Sequence, residues 1–574
     1  MSILAALACA LLAASVPYFV KLARVLFAAR GQPGYIALFY PFLNLNAMLF
    51  PAHWRFNMQR SSAWAVKADL YRKFNSTVLI VTSLFPPEIT VFVGEGPAMN
   101  LVNKDRHTFV KPPEANPPVL SIYGHNLLTS EGAEWRHHRK VSAPSFSEKN
   151  TAQVWETTMR LVDEWQEKVD EEQGEAGKTV INKSEDVWAV LTLLIMGKAG
   201  FGIDFPWPST LSLTQAEEHL SFYQASKIVL RDWRPMSILP RLTFKLPNSK
   251  LQRIQRGYDI FGDELRTMVQ ERVEEVKKGV KRDDLLTALV KANLREEGKD
   301  KLTDEELLSD AYIFLVAGHE TTANSLSIIF LLLALYPSHQ DPLHDEARSV
   351  FGSRPIVESS YPETYRALPI TLATVQEGLR LAGPVSSVVK QAAVDTWLPA
   401  KTVPNEGEKS EETKVFVPAG SLVRENISGI HYGDEAWPDP YDFNPKRFLE
   451  KDWNRESFYP FSNGLRGCIG RPFAMAELVA VVSAILLKYQ IEVPEHKKVE
   501  WQCREGETER ERRERIMNVR FLSPSLLAIP TFVLMSTDTA SSLLSQPAWA
   551  LTLGPQGIDL AFVPRLTKEA ERDA

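Results

Sequence analysis

Phe461, Gly464, Arg466, Cys468 and Gly470 fall within one ten-residue stretch, FSNGLRGCIG, and Pro472 to Leu487 behind it carries an apolar pattern that predicts a helix. A cysteine placed just before a helix meets the N-terminal amides. With an arginine nearby, these favour the thiolate, the form that binds metal. Glycines on either side let the backbone pass close to a flat ligand where a Cβ would clash. Five specified residues at fixed spacing arise by chance in about one chain in ten thousand. The competing reading, a buried structural cysteine, asks nothing of the other four positions.

Three more groups could do chemistry. Ala317-Gly318-His319-Glu320-Thr321-Thr322 interrupts a long apolar helical run, Asp310 to Leu335. A mid-helix glycine costs about 1 kcal/mol against alanine, and an acid beside a threonine in an apolar run is expensive unless satisfied. A local widening of the helix there makes room for a small ligand, and a hydroxyl with an acid can relay protons. Taken alone, His319-Glu320 reads as a metal or core pair. Glu377 and Arg380 are three apart on a predicted helix, a spacing that by itself describes many solvated surface bridges. Trp135 and Arg139 are four apart, so they share a helical face and can point at one carboxylate.

These groups need a scaffold. The chain has 574 residues, 44% hydrophobic and 24% charged, ordinary for a globular protein, and its length alone suggests about four domains. Its cysteines, Cys9, Cys468 and Cys503, are too sparse for a disulfide framework and fit a reducing compartment. A net charge of -6 and the lack of zinc-type Cys/His spacing argue against nucleic acid as a partner. There is no GxGxxG and no GxxxxGK[ST], so nothing suggests that a flavin- or dinucleotide-binding unit is fused to the chain, and electrons, if needed, must come from elsewhere. Apolar residues recur at three and four in Val154 to Val169, Ile254 to Val276 and Leu285 to Leu294, which predicts a succession of helices. Thr77 to Thr82, Ile89 to Val93 and Val415 to Val417 read as strands. The fold class is α-rich with a minor β part. Two stretches, 405–413 and 503–539, read as insertions, the second joining a charge run to an apolar run broken by Pro524 and Pro530. Its abrupt change of composition also fits intron-derived sequence.

Ser2 to Val20 contains no charge, is about 28 Å long as a helix, and is followed by Lys21, Arg24 and Arg30. Charges after the apolar run rather than before it favour a retained transmembrane anchor over a cleaved signal peptide, with the body of the chain in the cytosol. The further apolar stretch Tyr35 to Pro51 could lie against the membrane surface, and an interfacial helix kinked at Pro17 is the alternative to the anchor.

The loop FSNGLRGCIG resembles the haem-binding loop of the cytochrome P-450 monooxygenases, and the other groups resemble that family's motifs in its own order. Glu377-Gly378-Leu379-Arg380 is similar to the family's ExxR, an ion-pair network closed here by Arg447 in DPYDFNPKRF. The AGHETT segment is similar to the [AG]GxxT motif, which implies that Thr321 is a proton-relay hydroxyl and Glu320 its acid. Trp135 to Arg139 resembles WxxxR, whose Trp and Arg bind a haem propionate. The family's usual arginine ten residues after ExxR is Lys390 here, which keeps the charge and loses the bidentate fork. The resemblance runs from about residue 30 to a C-terminal strand near Gly557 to Val563. It implies a single haem-thiolate domain over 30–570 behind the anchor at 2–20, in place of the several domains suggested by length.

That resemblance further implies haem b as cofactor, Cys468 as axial ligand of its iron, and Phe461, Gly464, Arg466 and Gly470 as the loop that receives it. It implies insertion of one oxygen atom of O2 into a lipophilic substrate. The electrons would come from a membrane-bound NADPH-dependent flavoprotein reductase, and cytochrome b5 is a second admissible donor. Arg136, His137, Lys140 and Arg471 flank the thiolate side and could steer an acidic partner. The overall pattern most resembles fungal microsomal members of secondary metabolism, which implies a single-pass endoplasmic reticulum protein acting on a terpenoid, with a fatty-acid or sterol hydroxylase as the alternative. A haem-thiolate isomerase or a non-catalytic haem protein would need no acid-threonine pair, and that pair is intact here.

Overall fold

A computed structural model describes residues 3–39, 67–112, 118–172, 177–207, 222–231, 241–245, 249–296, 301–403, 409–508 and 557–565, with a few isolated positions between them. The helices that position the site are α1 (Ile3–Ala29), α2 (Gly96–Lys104), α3 (Gly132–Ser142), α4 (Glu148–Glu171), α5 (Ser184–Ile195), α6 (Ser249–Lys277), α7 (Asp304–Leu335), α8 (Pro369–Ala382) and α9 (Arg471–Lys488). The strands are β1 (Gly34–Phe39), β2 (Val78–Phe85), β3 (Glu88–Val93), β4 (Phe109–Val110), β5 (Thr179–Ile181), β6 (Ser387–Ala392), β7 (Thr396–Lys401), β8 (Glu412–Val417), β9 (Leu422–Asn426), β10 (Tyr489–Glu492) and β11 (Leu560–Pro564). One sheet runs β1-β2-β3-β9-β6-β4, a second β10-β11-β5, and β7 pairs with β8. The α-rich class with a minor β part is what the periodicities predict.

Helix α7 begins at Asp304 rather than Asp310, because Thr303 and Glu306 form a reciprocal capping box. It is 32 residues long and buried around almost its whole circumference, packed by α5, α8 and α9. Helices α7 and α9 are apolar all round because both are core helices, so neither shows a one-sided stripe. Trp188 of α5 stacks on Phe330 of α7 with ring centroids 4.6 Å apart, and Trp165 of α4 meets Phe562 of β11 at 5.2 Å. The last strand thereby closes the core from the far end of the chain.

Residues 3–20 of the run 2–20 fall within α1, with the side chains of residues 3–14 outside the description. Among the described residues no single helix is long and apolar enough to cross a membrane. The C-terminal half of α1 rests on the β2–β3 hairpin: Tyr18 donates to the Leu84 carbonyl at 2.8 Å, its ring stacks on Phe85, and Lys21 pairs with Glu88. Residues 40–51 of the second apolar stretch, 404–408 of the first insertion and most of 503–539 lie outside the described residues.

Candidate functional site

The cysteine loop is closed on itself, the Cys468 N–H donating to the Phe461 carbonyl at 2.9 Å and Gly467 to Gly464 at 3.1 Å. Gly464 has φ +67°, and a Cβ there would stand 2.8 Å from the Asn103 carbonyl of α2. This glycine therefore answers at least to its own backbone conformation and to the close approach of α2. At Gly470 a Cβ would meet Phe146 at 3.7 Å and Cys468 Sγ at 4.0 Å, both ordinary contacts.

The N–H groups of Gly470 and Arg471, at the start of α9, donate to the Cys468 sulfur, and Arg139 and Arg471 act on it electrostatically, all favouring the thiolate. Burial outweighs them and pushes the thiol pKa up, so the thiolate needs a cation at the sulfur itself. Cys468 is at once exposed and deeply desolvated. Both hold for a residue on the wall of an internal cleft.

Helix α7 supplies a second wall. Ala317 is exposed and Glu320 and Thr321 are half-buried, although Phe314, Leu315 and Val316 before them and Thr322 and Ala323 after them are buried. Phe146 joins the two walls, packing edge-on against Phe314 at 5.3 Å and against Phe473 of α9 at 5.1 Å. The helix does not widen at the motif as the sequence suggests; it runs as unbroken α-helix. The hydroxyls of Thr321 and Thr322 donate back to the Ala317 and Gly318 carbonyls at 2.7 and 2.8 Å, so both are satisfied within the helix. Gly318 serves packing, since a Cβ there would lie 2.0 Å from Met196 Cε. His319 is a neutral core histidine bonded to Leu315 O at 3.1 Å, with its pKa brought down to about 4 by burial. No group of His, Cys, Asp and Glu among the described residues could hold a metal ion, which removes the metal reading of His319-Glu320.

Cations from four segments converge beside this cleft. Arg466 of the cysteine loop lies over the Trp135 ring at 4.6 Å, donates to Ser130 O at 2.5 Å and pairs with Glu131. Arg139, on the same helix as Trp135, acts on both Arg466 and Cys468. Lys390 of β6 is buried and has a depressed pKa from desolvation, eased by Glu425. Lys111, which no motif contains, sits among Arg466, Lys390 and Glu131 and donates to Leu128 O. Among the described residues, the carboxylates acting on these four cations are Glu131, Glu425 and, at Arg139, none.

A buried ion-pair network supports the loop from behind. Glu377 takes Arg380 Nε at 2.7 Å and Nη2 at 2.9 Å, Arg447 Nε at 3.2 Å and the Asn444 N–H at 2.8 Å. Arg380 continues to the His431 and Pro440 carbonyls at 2.6 and 2.8 Å. His431, which the sequence reading missed, donates from Nδ1 to Arg380 O at 3.0 Å and accepts from the Tyr459 N–H at 2.9 Å. Tyr459 stands two residues before Phe461, so the network ends at the cysteine loop. A second relay was also missed. Asp310 of α7 accepts from the Leu127 N–H at 2.8 Å and bonds His138 Nδ1 at 2.8 Å, and Asn126 organises residues 128–130.

A protein-family model described as cytochrome P450 matches residues 56–508. The chain belongs to that family. It is 32% identical to cytochrome P450 monooxygenase 124 of Postia placenta over 461 residues, 80% of this chain and 85% of that protein. It is 28% identical to cytochrome P450 4F8 of Homo sapiens, covering 65% of this chain and 70% of the other. A solved structure, the cytochrome P450DA heme domain, shares the fold with a TM-score of 0.64 at 18% identity, over 93% of this chain and 99% of that one. As a member of the P450 family the protein is a monooxygenase whose cofactor is protoporphyrin IX haem. The residues fit that group: a thiol on the wall of an internal cleft, an opened face of α7 joined to it through Phe146, and a concentration of cations where acidic side arms would be held.

Proposed function

We propose that the protein is a membrane-associated monooxygenase of lipophilic molecules in which Cys468 is the axial ligand of the haem iron. The observation that carries this reading is the pairing of the enclosed Cys468 thiol with the opened Ala317–Thr321 face of α7 through Phe146. Haem, when bound, supplies the activation of O2 and its insertion into a C–H bond. Glu320 and the Thr321 hydroxyl deliver protons to that side of the cleft. Trp135, Arg139, Arg466 and Lys390 hold the propionates, and Glu377, Arg380 and Arg447 fix the frame in which Phe461 and Cys468 sit.

Lipophilic substrates are common in the family. For this chain the reading rests on the apolar residues Phe314 to Val316, which precede the opened face in α7, and on the mostly apolar stretch Val385 to Val389. Exposed Phe19, Val20, Phe27, Ile36 and Phe85, clustered where α1 meets the first sheet, support attachment to a membrane. The chain would thus be a single-pass endoplasmic reticulum protein that takes electrons from an NADPH-dependent flavoprotein reductase, with cytochrome b5 as a further donor. Similarity to a fungal monooxygenase, that of Postia placenta, is compatible with a place in fungal secondary metabolism such as terpenoid oxidation, with a fatty acid or sterol as the alternative substrate class.

The test is a screen of lipophilic compounds for a water-to-substrate spin shift, followed by turnover with reductase and NADPH and product identification by mass spectrometry. Thr321→Ala and Glu320→Gln should keep the spin shift and lose product relative to NADPH consumed. Equal product yield in both variants would favour an isomerase or a peroxide-using enzyme.

A further inference from the structure

Around the acid–threonine turn of α7 several backbone carbonyls carry more donors than a helix needs. Thr321 and Thr322 donate to the carbonyls four residues back, and Ser325 and Ser327 do the same at the Thr321 and Ala323 carbonyls, both at 2.8 Å. These bonds add to the N–H donors of the helix itself. At His319 the helix cannot repeat the pattern, because the residue four positions on is Ala323, which has no hydroxyl. The extra donor there comes from another helix: Thr192 Oγ1 of α5 stands 3.1 Å from the His319 carbonyl.

The packing of α5 on α7 explains the contact. Thr192 and Met196 are four residues apart and share one helical face. Met196 opens a π-turn, Met196–Gly200, and lies against Gly318, where a Cβ would stand 2.0 Å from its Cε; a Cβ on Gly200 would stand 2.5 Å from its Sδ. The two glycines let α5 close on α7 at the residue before His319. Thr192 is fully buried, and its hydroxyl also stands 2.9 Å from the Trp188 carbonyl of its own helix. A hydroxyl has one proton and rotates to suit its acceptor. It serves Trp188 while the Ala323 N–H holds the His319 carbonyl, and turns to His319 when that N–H lets go.

We infer that Thr192 is a positioning residue of the site, a swing donor that allows α7 to open at Glu320 and Thr321 without orphaning a buried carbonyl. An unpaired buried carbonyl is what makes such an opening costly. Thr192 removes that cost at the carbonyl directly before Glu320. The inference rests on the reading of Glu320 and Thr321 as the proton-delivering pair, since the opened turn is where a small ligand gains room and the acid gains freedom to move.

The experiment is hydrogen exchange on the full-length protein, read by mass spectrometry on the peptides that carry Ala323. A helix amide exchanges when its bond opens. Thr192→Val keeps the side-chain shape and removes the hydroxyl. It should slow exchange at Ala323 about tenfold, the effect of one withdrawn hydrogen bond on the opening equilibrium. Thr192→Ser should stay within about twofold of the parent. A merely structural bond predicts the opposite sign, because losing a tie between two helices loosens them and speeds exchange. With reductase, NADPH and a compound that gives the spin shift, Thr192→Val should keep that shift and lose product per NADPH consumed, and Thr192→Ser should restore it. The inference is overturned if Thr192→Val exchanges at the parent rate or faster, if Thr192→Ser does not restore the parent behaviour, or if product per NADPH is unchanged. If Thr192→Val does not accumulate, Thr192→Ala is compared with Thr192→Ser, which lacks the same methyl group, and Thr192→Ala exchanging no more slowly overturns the inference equally. Failure of the proton-delivery reading would show separately, as Thr321→Ala and Glu320→Gln giving the parent product yield while the exchange difference at Ala323 persists.

Discussion

Replacing His431 by glutamine should change how stability responds to acid more than it changes stability at neutral pH. His431 is fully enclosed, and its pKa is held down to about 3, first by desolvation and then by the Arg380 guanidinium. In the unfolded chain a histidine titrates near 6.5. Below that pH the unfolded state takes up a proton that the folded state refuses, so stability falls as pH drops from about 6.5 towards 3. The slope is about 1.4 kcal/mol per pH unit, so acidification from pH 7 to pH 5 removes about 2 kcal/mol through this residue. His319, with its pKa near 4 from burial, removes a similar amount. His138 acts in the opposite sense, because Asp310 raises its pKa and its contribution is present at low pH and lost as pH rises through the folded value. The difference between parent and variant isolates His431. Glutamine keeps an acceptor for the Tyr459 N–H and does not titrate. Urea unfolding followed by tryptophan fluorescence at pH 5, 6, 7 and 8 should show a parent loss between pH 7 and 5 that exceeds the loss in His431→Gln by about 2 kcal/mol. Parallel pH profiles would refute the reasoning, since they would mean that His431 is reached by protons without unfolding.

Glu377→Gln leaves Arg380 and Arg447 buried without their counter-charge, and about 3–5 kcal/mol of lost stability should appear as low yield of haem-containing protein and a lower urea midpoint. Gly464→Ala forces a left-handed backbone and pushes a methyl to 2.8 Å from Asn103 O. It should cost about 1–3 kcal/mol and weaken haem retention, while Gly470→Ala should be milder. Reversing Lys140 and Arg471 to Glu should raise the reductase concentration for half-maximal turnover several-fold at low salt and less at high salt. Most of that effect should come from Arg471, because Lys140 is already paired with Glu296 at 2.7 Å. Peptide mapping of the native protein that recovers peptides from 503–539 would remove the intron reading of that stretch.

Much of the site was legible because its parts are local. The cysteine loop, the α7 motif and the Glu377–Arg380 pair each occupy one short segment in which residue types conflict with their apolar surroundings, and such conflicts stand out in sequence. Arg447 was legible only through the family pattern, since nothing in its own neighbourhood announces a partner in α8. His431, Lys111 and the His138–Asp310 pair were not legible. Each acts through a contact between segments far apart in the chain, and each sits in a stretch with unremarkable spacing. Lys111 depends on the register of a strand only two residues long. The helix motif misled in one respect, because a glycine that reads as room for a ligand is occupied by Met196 from a neighbouring helix. The early start of α7 was available in Thr303 and Glu306, whose spacing is that of a capping box.

The central claim, Cys468 as axial thiolate, is tested most directly by the reduced, CO-bound absorption spectrum of the parent and of Cys468→His. The parent should show the strongly red-shifted Soret band of thiolate ligation, and the variant should move it to the imidazole-ligated position. A parent band at the imidazole position, or a red-shifted band that survives the substitution, would contradict the account.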